Sequence, residues 1–492
     1  MDTSSTNRLP AFTALFLSTF WIIGCISTED TTAASYPDNQ PAQEEDDYLQ
    51  PSDPLPNSGL SDNIIHADID QIFKRYNYNN TPGCAVAVYQ NGNTVFSKGY
   101  GLANLDYGIP ISDSTSFNMA SISKQVTAAA AGLLVLRGQL DLDSEVADYL
   151  EDWPVWAYGV TIRHLINHTS GLPDVYDVMK IAGISINDVM TIDGYLNIIK
   201  KGESLMFQPG TKYSYTNSGY TILAFLVQKI SGEKFSKFAH QQFFKPFGMS
   251  STHFHDDRQR VIQNRAMSYE RSYPGYNQIY PGNFQGVGDG GLYSTLKDWE
   301  RWDSFWNGTL EWKGGLTKME AMELKKLMTT QLVIGNKTSN HGMAMNFAIR
   351  KGMQEVRIGG SFMGFNSEYR RYPDQGISFL TLCNRGDANP QYFNSKLADH
   401  LLKEPMEIYL EPFEGIYHSD ELSAQLTLTI EDGELRVIRR LTPNGWMVEN
   451  GGDNWNAGSW EMAFQRDKNG RVEGLKVSTG RARNVEFKRI SR

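Results

Sequence analysis

Residues 117–138 read Phe117-Asn-Met-Ala-Ser121-Ile-Ser-Lys124-Gln-Val-Thr-Ala-Ala-Ala-Ala-Gly-Leu-Leu-Val-Leu-Arg137-Gly138. From Gln125 to Arg137 the run is apolar nearly all round, and Gly138 is a stop signal. A helix without a polar face is buried at the centre of a domain. Its start carries the pattern S-x-x-K. In a helix, positions i and i+3 share one face, so the Lys124 amine lies within reach of the Ser121 hydroxyl. A hydroxyl is a poor nucleophile until a base takes its proton, and a desolvated lysine is such a base. Free N–H groups at a helix start also favour developing negative charge. The competing reading of Ser121 is a capping serine. The same spacing recurs at Ser231–Lys234 and Ser294–Lys297, which read as a helix exit and a helix cap.

Two further stretches bear on the choice. Tyr213-Ser-Tyr215-Thr-Asn217 follows a Pro-Gly-Thr-Lys turn and runs into a second apolar helix, Thr221 to Ile230. Gly359-Gly360-Ser361-Phe-Met-Gly364-Phe365 reads as a glycine-rich strand edge, where a backbone can approach a ligand closely. Around them the apolar patterns suggest an α+β, or mixed α/β, domain. Asp62 to Tyr76 has helical spacing. Cys84–Tyr89 and Thr94–Tyr100 flank Asn91-Gly92 and read as a β-hairpin. Helical patterns dominate 121–330, and strand-like runs return at 354–358, 365–371 and 377–383. The expected architecture is an antiparallel sheet built from both ends of residues 61–404, flanked by helices, with a helical subdomain between. From 408 to 492 short alternating runs joined by Gly-containing turns suggest a small all-β domain, an antiparallel, lipocalin-like barrel or a sandwich.

The first 60 residues read differently. Residues 11–24 form an apolar run preceded by Arg8, too short for a comfortable membrane span and suited to a signal peptide. Residues 26–60 hold eight acidic side chains and no Lys or Arg, so they are expected to be a disordered tether. The chain has 492 residues and a net charge of −10. The tether supplies most of it, and residues from 61 onward are left near −2. This balance lacks the basic patch of a nucleic-acid binder. Three cysteines cannot staple a disulfide framework, so the fold rests on packed cores.

Phe117-Asn-Met-Ala-Ser121-Ile-Ser-Lys124, Thr161-Ile-Arg-His-Leu-Ile-Asn-His168-Thr-Ser-Gly-Leu-Pro173, Tyr215-Thr-Asn217 and Gly288-Asp-Gly-Gly-Leu-Tyr-Ser-Thr295 occur in this order. Together they resemble the serine β-lactamase-like family, on its class C β-lactamase, DD-peptidase and esterase branch, over about 62–402. The resemblance implies a serine hydrolase that acylates Ser121. Lys124, with Tyr215, would move the proton. Asn217 would orient Lys124 and the substrate amide. The amides of Ser121 and Ser361 would form the oxyanion hole beside Gly360. The implied substrates are esters, small amides or D-amino-acid peptides, with no cofactor. In the family's third motif the basic residue falls at Ile358 here. Ile cannot supply the charge that helps depress a lysine pKa or binds a carboxylate, which leaves a catalytically impaired binding or regulatory homologue as the alternative. Arg357 is adjacent, but alternation points it to the other face unless a bulge intervenes.

Ile22-Ile-Gly-Cys25 likewise resembles a bacterial lipoprotein box. It implies Cys25 as the lipid anchor of an exported protein on the periplasmic side of a membrane, the outer membrane favoured, or at the cell surface. Oligomeric state is not legible. Family topology would set Cys84 beside Cys383; two buried thiols are the preferred reading over a disulfide. His168 is expected to make a structural hydrogen bond. His253-Phe-His255 reads as part of a solvated loop rather than a metal centre, since no third ligand is evident. Aromatic residues at 270–315 read as core. Neither G-x-x-x-x-G-K-[ST] nor H-E-x-x-H is present.

Overall fold

Strand β1 (Cys84–Gln90) is buried along almost its whole length because it feeds two cores at once. Side chains alternate across a strand. Ala85, Ala87 and Tyr89 therefore enter one apolar cluster, and Cys84, Val86 and Val88 enter another on the opposite face. The chain turns back through Asn91 and Gly92, both at positive φ, into β2 (Asn93–Tyr100). That is the conformation an Asn-Gly hairpin turn demands. The computed structural model describes residues 64–491 apart from 186–187, 280–284, 335–336, 351, 403–412 and short stretches at 432–433, 440–441, 450–452, 458–459, 468–470 and 480–481. The expected signal peptide, Cys25 and the expected tether lie outside the described residues, as does the join between the two expected domains.

The other strands of this sheet come from the far end of the domain. They are β3 (His341–Gly342), β4 (Met345–Arg350), β5 (Met353–Phe362), β6 (Phe365–Tyr372) and β7 (Ile377–Cys383). The sheet is antiparallel, in the order β3-β4-β5-β6-β7-β1-β2. Helix α1 (Ile64–Ile72) and the helix Pro390–Leu401 cover one face. On the other lies the larger core, with helix α2 (Ser123–Leu136) at its centre, buried from Ser123 to Leu134 on every side. This is the α+β fold expected, and its helical subdomain spans the segment between β2 and β3.

One expectation is corrected in this sheet. Cys84 and Cys383 are joined as a disulfide, not left as two thiols. The β1–β7 register sets them directly opposite each other, with Cα atoms 4.0 Å apart, so both sulfurs leave the same face at contact distance.

Beyond 412 eight strands, from Gly415–Ser419 to Ala482–Ser491, pair in sequence order, and the first pairs with the last to close a barrel. Closure removes exposed sheet edges. Tyr417, Leu428, Val437, Trp455 and Leu475 fill its interior.

Candidate active site

The chain enters α2 through a single 3-10 turn, Ala120–Ile122, and this turn presents Ser121. Ala120 sits at φ +48°, a conformation costing about 1–3 kcal/mol for a residue with a Cβ. The turn is held from below. Asn118 Oδ1 accepts from the Ala120 amide at 2.8 Å, and Ser123 Oγ donates to the Ala120 carbonyl at 2.5 Å. Strand β5 packs flush against it. A Cβ added to Gly360 would lie 2.7 Å from both the Ser121 nitrogen and the Met119 carbonyl oxygen, so only glycine fits there. The approach sets Ser361 next to Ser121 on the wall of one cavity.

Lys124 is 1% exposed. Its Nζ donates to Ser121 Oγ at 3.1 Å, to Asn217 Oδ1 at 2.9 Å and to the Asp289 carbonyl at 2.6 Å. Tyr215 Oη lies 2.8 Å from Ser121 Oγ. The four polar residues expected from the motifs thus meet at one point. Asn217 opens a second buried helix, α3 (Asn217–Ser231), which packs beside α2. Thr216 caps that helix and ties it to the Tyr215 loop.

Sequence reasoning missed Asp174. Its Oδ2 accepts from the Asn217 backbone amide at 2.6 Å and from Asn217 Nδ2 at 2.9 Å. The Asn217 amide is thereby fixed with nitrogen to Asp174 and oxygen to Lys124. The only signal was its place directly after Gly171-Leu-Pro173. Asp289, unlike the half-buried Asp174, is almost fully enclosed; Tyr176 Oη donates to its carboxylate at 2.7 Å, and burial raises its pKa.

His168 does make the expected structural bond. Its Nδ1 accepts from the Thr216 amide at 3.2 Å, and its ring lies 4.4 Å from that of Tyr215. Burial, then the nearby charges of Lys124 and His341, pulls its pKa down to about 3. The reading of 253–257 as a solvated loop is corrected for 253–255 and holds for the exposed Asp257. His253 and Phe254 pair with Leu292–Ser294, and His255, only 4% exposed, lines the cavity that holds Ser121. The aromatic reading holds for Trp299 and Trp302, both fully buried, whereas Tyr293 lines that same cavity. Among the described residues no three His, Cys, Asp or Glu side chains gather as a metal site would require.

Ile358 is buried in the larger core opposite Tyr369 and does not line the cavity. The β5–β6 register is unbroken, so Arg357 does face the other side of the sheet. That side is not remote from the site, however. Arg357 lines an open groove of about 660 Å³ together with Ser121, Tyr215 and Ser361, and it pairs with Glu355 at 3.5 Å. A cation therefore borders the groove although position 358 holds none. The cavity, of about 400 Å³, and the groove meet at Ser121.

This fold, with a buried lysine in contact with a serine hydroxyl, defines a serine hydrolase. A family model described as Beta-lactamase matches residues 69–402, more than half of the chain, and the chain belongs to that family. It is 25% identical to a D-aminopeptidase of Brucella canis, over 83% of this chain and 96% of that protein. Two solved structures share the fold. An octameric penicillin-binding protein homologue from Pyrococcus abyssi has a TM-score of 0.58 at 21% identity, covering 86% of this chain and 99% of its own. A D-amino acid amidase from Ochrobactrum anthropi SV3 has a TM-score of 0.56 at 20% identity, covering 68% and 98%.

Proposed function

We propose that the protein hydrolyses esters or small amides of D-amino acids, or D-amino-acid peptides, through an acyl-Ser121 intermediate. The observation that carries this is the partner set of Lys124. Two of its three partners, Asn217 Oδ1 and the Asp289 carbonyl, can only accept. An amine whose N–H groups go to these two acceptors has its remaining valence directed at Ser121 Oγ, 3.1 Å away, which is the geometry for passing a proton between them.

Ser121 Oγ attacks the carbonyl carbon as its proton passes to Lys124 Nζ. The oxyanion forms against the amides of Ser121 and Ser361; each such donor is worth about 10²–10³ in rate. The proton then moves through Tyr215 to the leaving oxygen or nitrogen, and that bond breaks. Water attacks the acyl-Ser121 carbonyl and gives its proton back along the same path, releasing the acid and the free hydroxyl. The D-amino-acid preference rests on the D-aminopeptidase relatives and the amidase neighbour. Ile358 faces the core rather than the reacting groups, so its lack of charge leaves the nucleophile, base and oxyanion amides in place. The reading extends to the cell. Cys25 anchors an exported lipoprotein, and the acidic segment 26–60 spaces the enzyme from the membrane.

A fluorophosphonate should label the wild-type protein covalently, and Ser121→Ala should abolish labelling. Equal labelling of both would exclude Ser121 as the nucleophile.

A further inference from the structure

His255 lines the cavity and has no part in the hydrolytic scheme. It follows the short strand His253–Phe254, and its backbone amide donates to the Gly291 carbonyl at 2.8 Å. The strand Leu292–Ser294 pairs with both His253–Phe254 and Phe117–Asn118. His255 is therefore fixed to the same small sheet that leads into the Ser121 turn. The Asp289 carbonyl that receives Lys124 lies just before that sheet. The ring of Tyr293 lies edge-on to the imidazole, 5.5 Å away.

Both ring nitrogens of His255 are buried without a hydrogen-bond partner. A buried, unsatisfied polar group is destabilising and needs a reason to persist. Burial, then Arg265 and Arg260, lowers the pKa of His255, so the ring is neutral in neutral solution and offers one donor and one acceptor. Together they suit an amide or hydroxyl, which can both give and take a hydrogen bond, whereas a carboxylate can only accept and would leave the second nitrogen unpaired. The cavity is also the more enclosed of the two spaces meeting at Ser121. The leaving group must depart before water attacks, which suits the open groove. The acyl group stays bonded to Ser121 and suits the cavity, where Tyr176, Phe362 and Met363 add apolar wall.

We propose that His255 is a specificity-determining residue whose imidazole hydrogen-bonds a neutral amide or hydroxyl on the acyl portion of the substrate. This rests on the acyl-Ser121 reading. The test compares two p-nitrophenyl esters with the full chain: N-acetyl-D-alanine, which carries an amide on its acyl portion, and propionate, which does not. His255→Phe should lower kcat/KM for the N-acetyl-D-alanine ester about tenfold to a hundredfold, with the propionate ester changed less than threefold. His255→Gln, which keeps a donor and an acceptor, should recover most of the loss. Equal losses on both esters, or no loss on either, would overturn the proposal. Should His255→Phe fail to fold, His255→Leu, which also carries no polar atom, makes the same comparison. Ser121→Ala runs alongside. If it hydrolyses both esters as fast as wild type, the acyl-enzyme reading has failed, and not the assignment of His255.

Discussion

Two cations are buried on opposite faces of one sheet, and they are treated in opposite ways. Arg370, fully buried on the side of the helix Pro390–Leu401, bonds two carboxylates, Glu368 at 2.9 Å and Glu355 at 3.3 Å, and also the Ser395 hydroxyl. Burial opposes its charge, but Glu368 and Glu355 outweigh burial and hold its pKa above the ordinary arginine value. Lys124, almost as buried, has a hydroxyl, a side-chain amide oxygen and a backbone carbonyl as its hydrogen-bond partners, none of them a carboxylate. Carboxylates hold the charge at the first site, and neutral acceptors orient the amine at the second.

The contrast predicts opposite phenotypes. Lys124→Met should lower kcat/KM by about 10⁴ or more while leaving the urea midpoint near wild type. Arg370→Met should strand two buried carboxylates and cost about 3–5 kcal/mol of stability in urea unfolding, with kcat of the folded fraction retained. If Lys124→Met unfolds the protein and Arg370→Met only slows it, the roles are reversed. A smaller effect per step concerns His168, on the Lys124 side. Its folded pKa of about 3 lies below the unfolded value of 6.5, so the unfolded chain takes up a proton first as pH falls. Its contribution to stability is whole above pH 6.5 and is lost towards pH 3, by at most about 1.4 kcal/mol per pH unit. Denaturant midpoints of wild type and His168→Asn across this range should converge as the pH falls. A constant offset would show that His168 is not buried in its neutral form.

The same two faces show what the chain makes legible. Ser121, Lys124, Tyr215 and Asn217 were readable because S-x-x-K lies on one helical turn, and Tyr-x-Asn runs straight into a helix that packs on it. The hairpin around Asn91-Gly92 was readable for the same local reason. Asp174, His255 and the groove beside Arg357 were not, because each depends on which distant segment the tertiary fold brings alongside. His253-Phe-His255 carries no strand-length pattern; two residues pairing with Leu292–Ser294 are enough to bury it. The disulfide needed the β1–β7 register, which no local pattern fixes. In the barrel, the strand Thr442–Glu449 contains Pro443, Asn444 and Gly445, and it pairs across an irregular register at Val437/Ile438.

The central claim is that hydrolysis passes through an ester on Ser121. Acid-quenched turnover of the N-acetyl-D-alanine p-nitrophenyl ester, followed by peptide mass mapping, tests it most directly. The account predicts one N-acetylalanyl group per chain on the peptide carrying Ser121, absent in Ser121→Ala. Full turnover by Ser121→Ala, or an acyl group mapped to another residue in the wild-type chain, would contradict it.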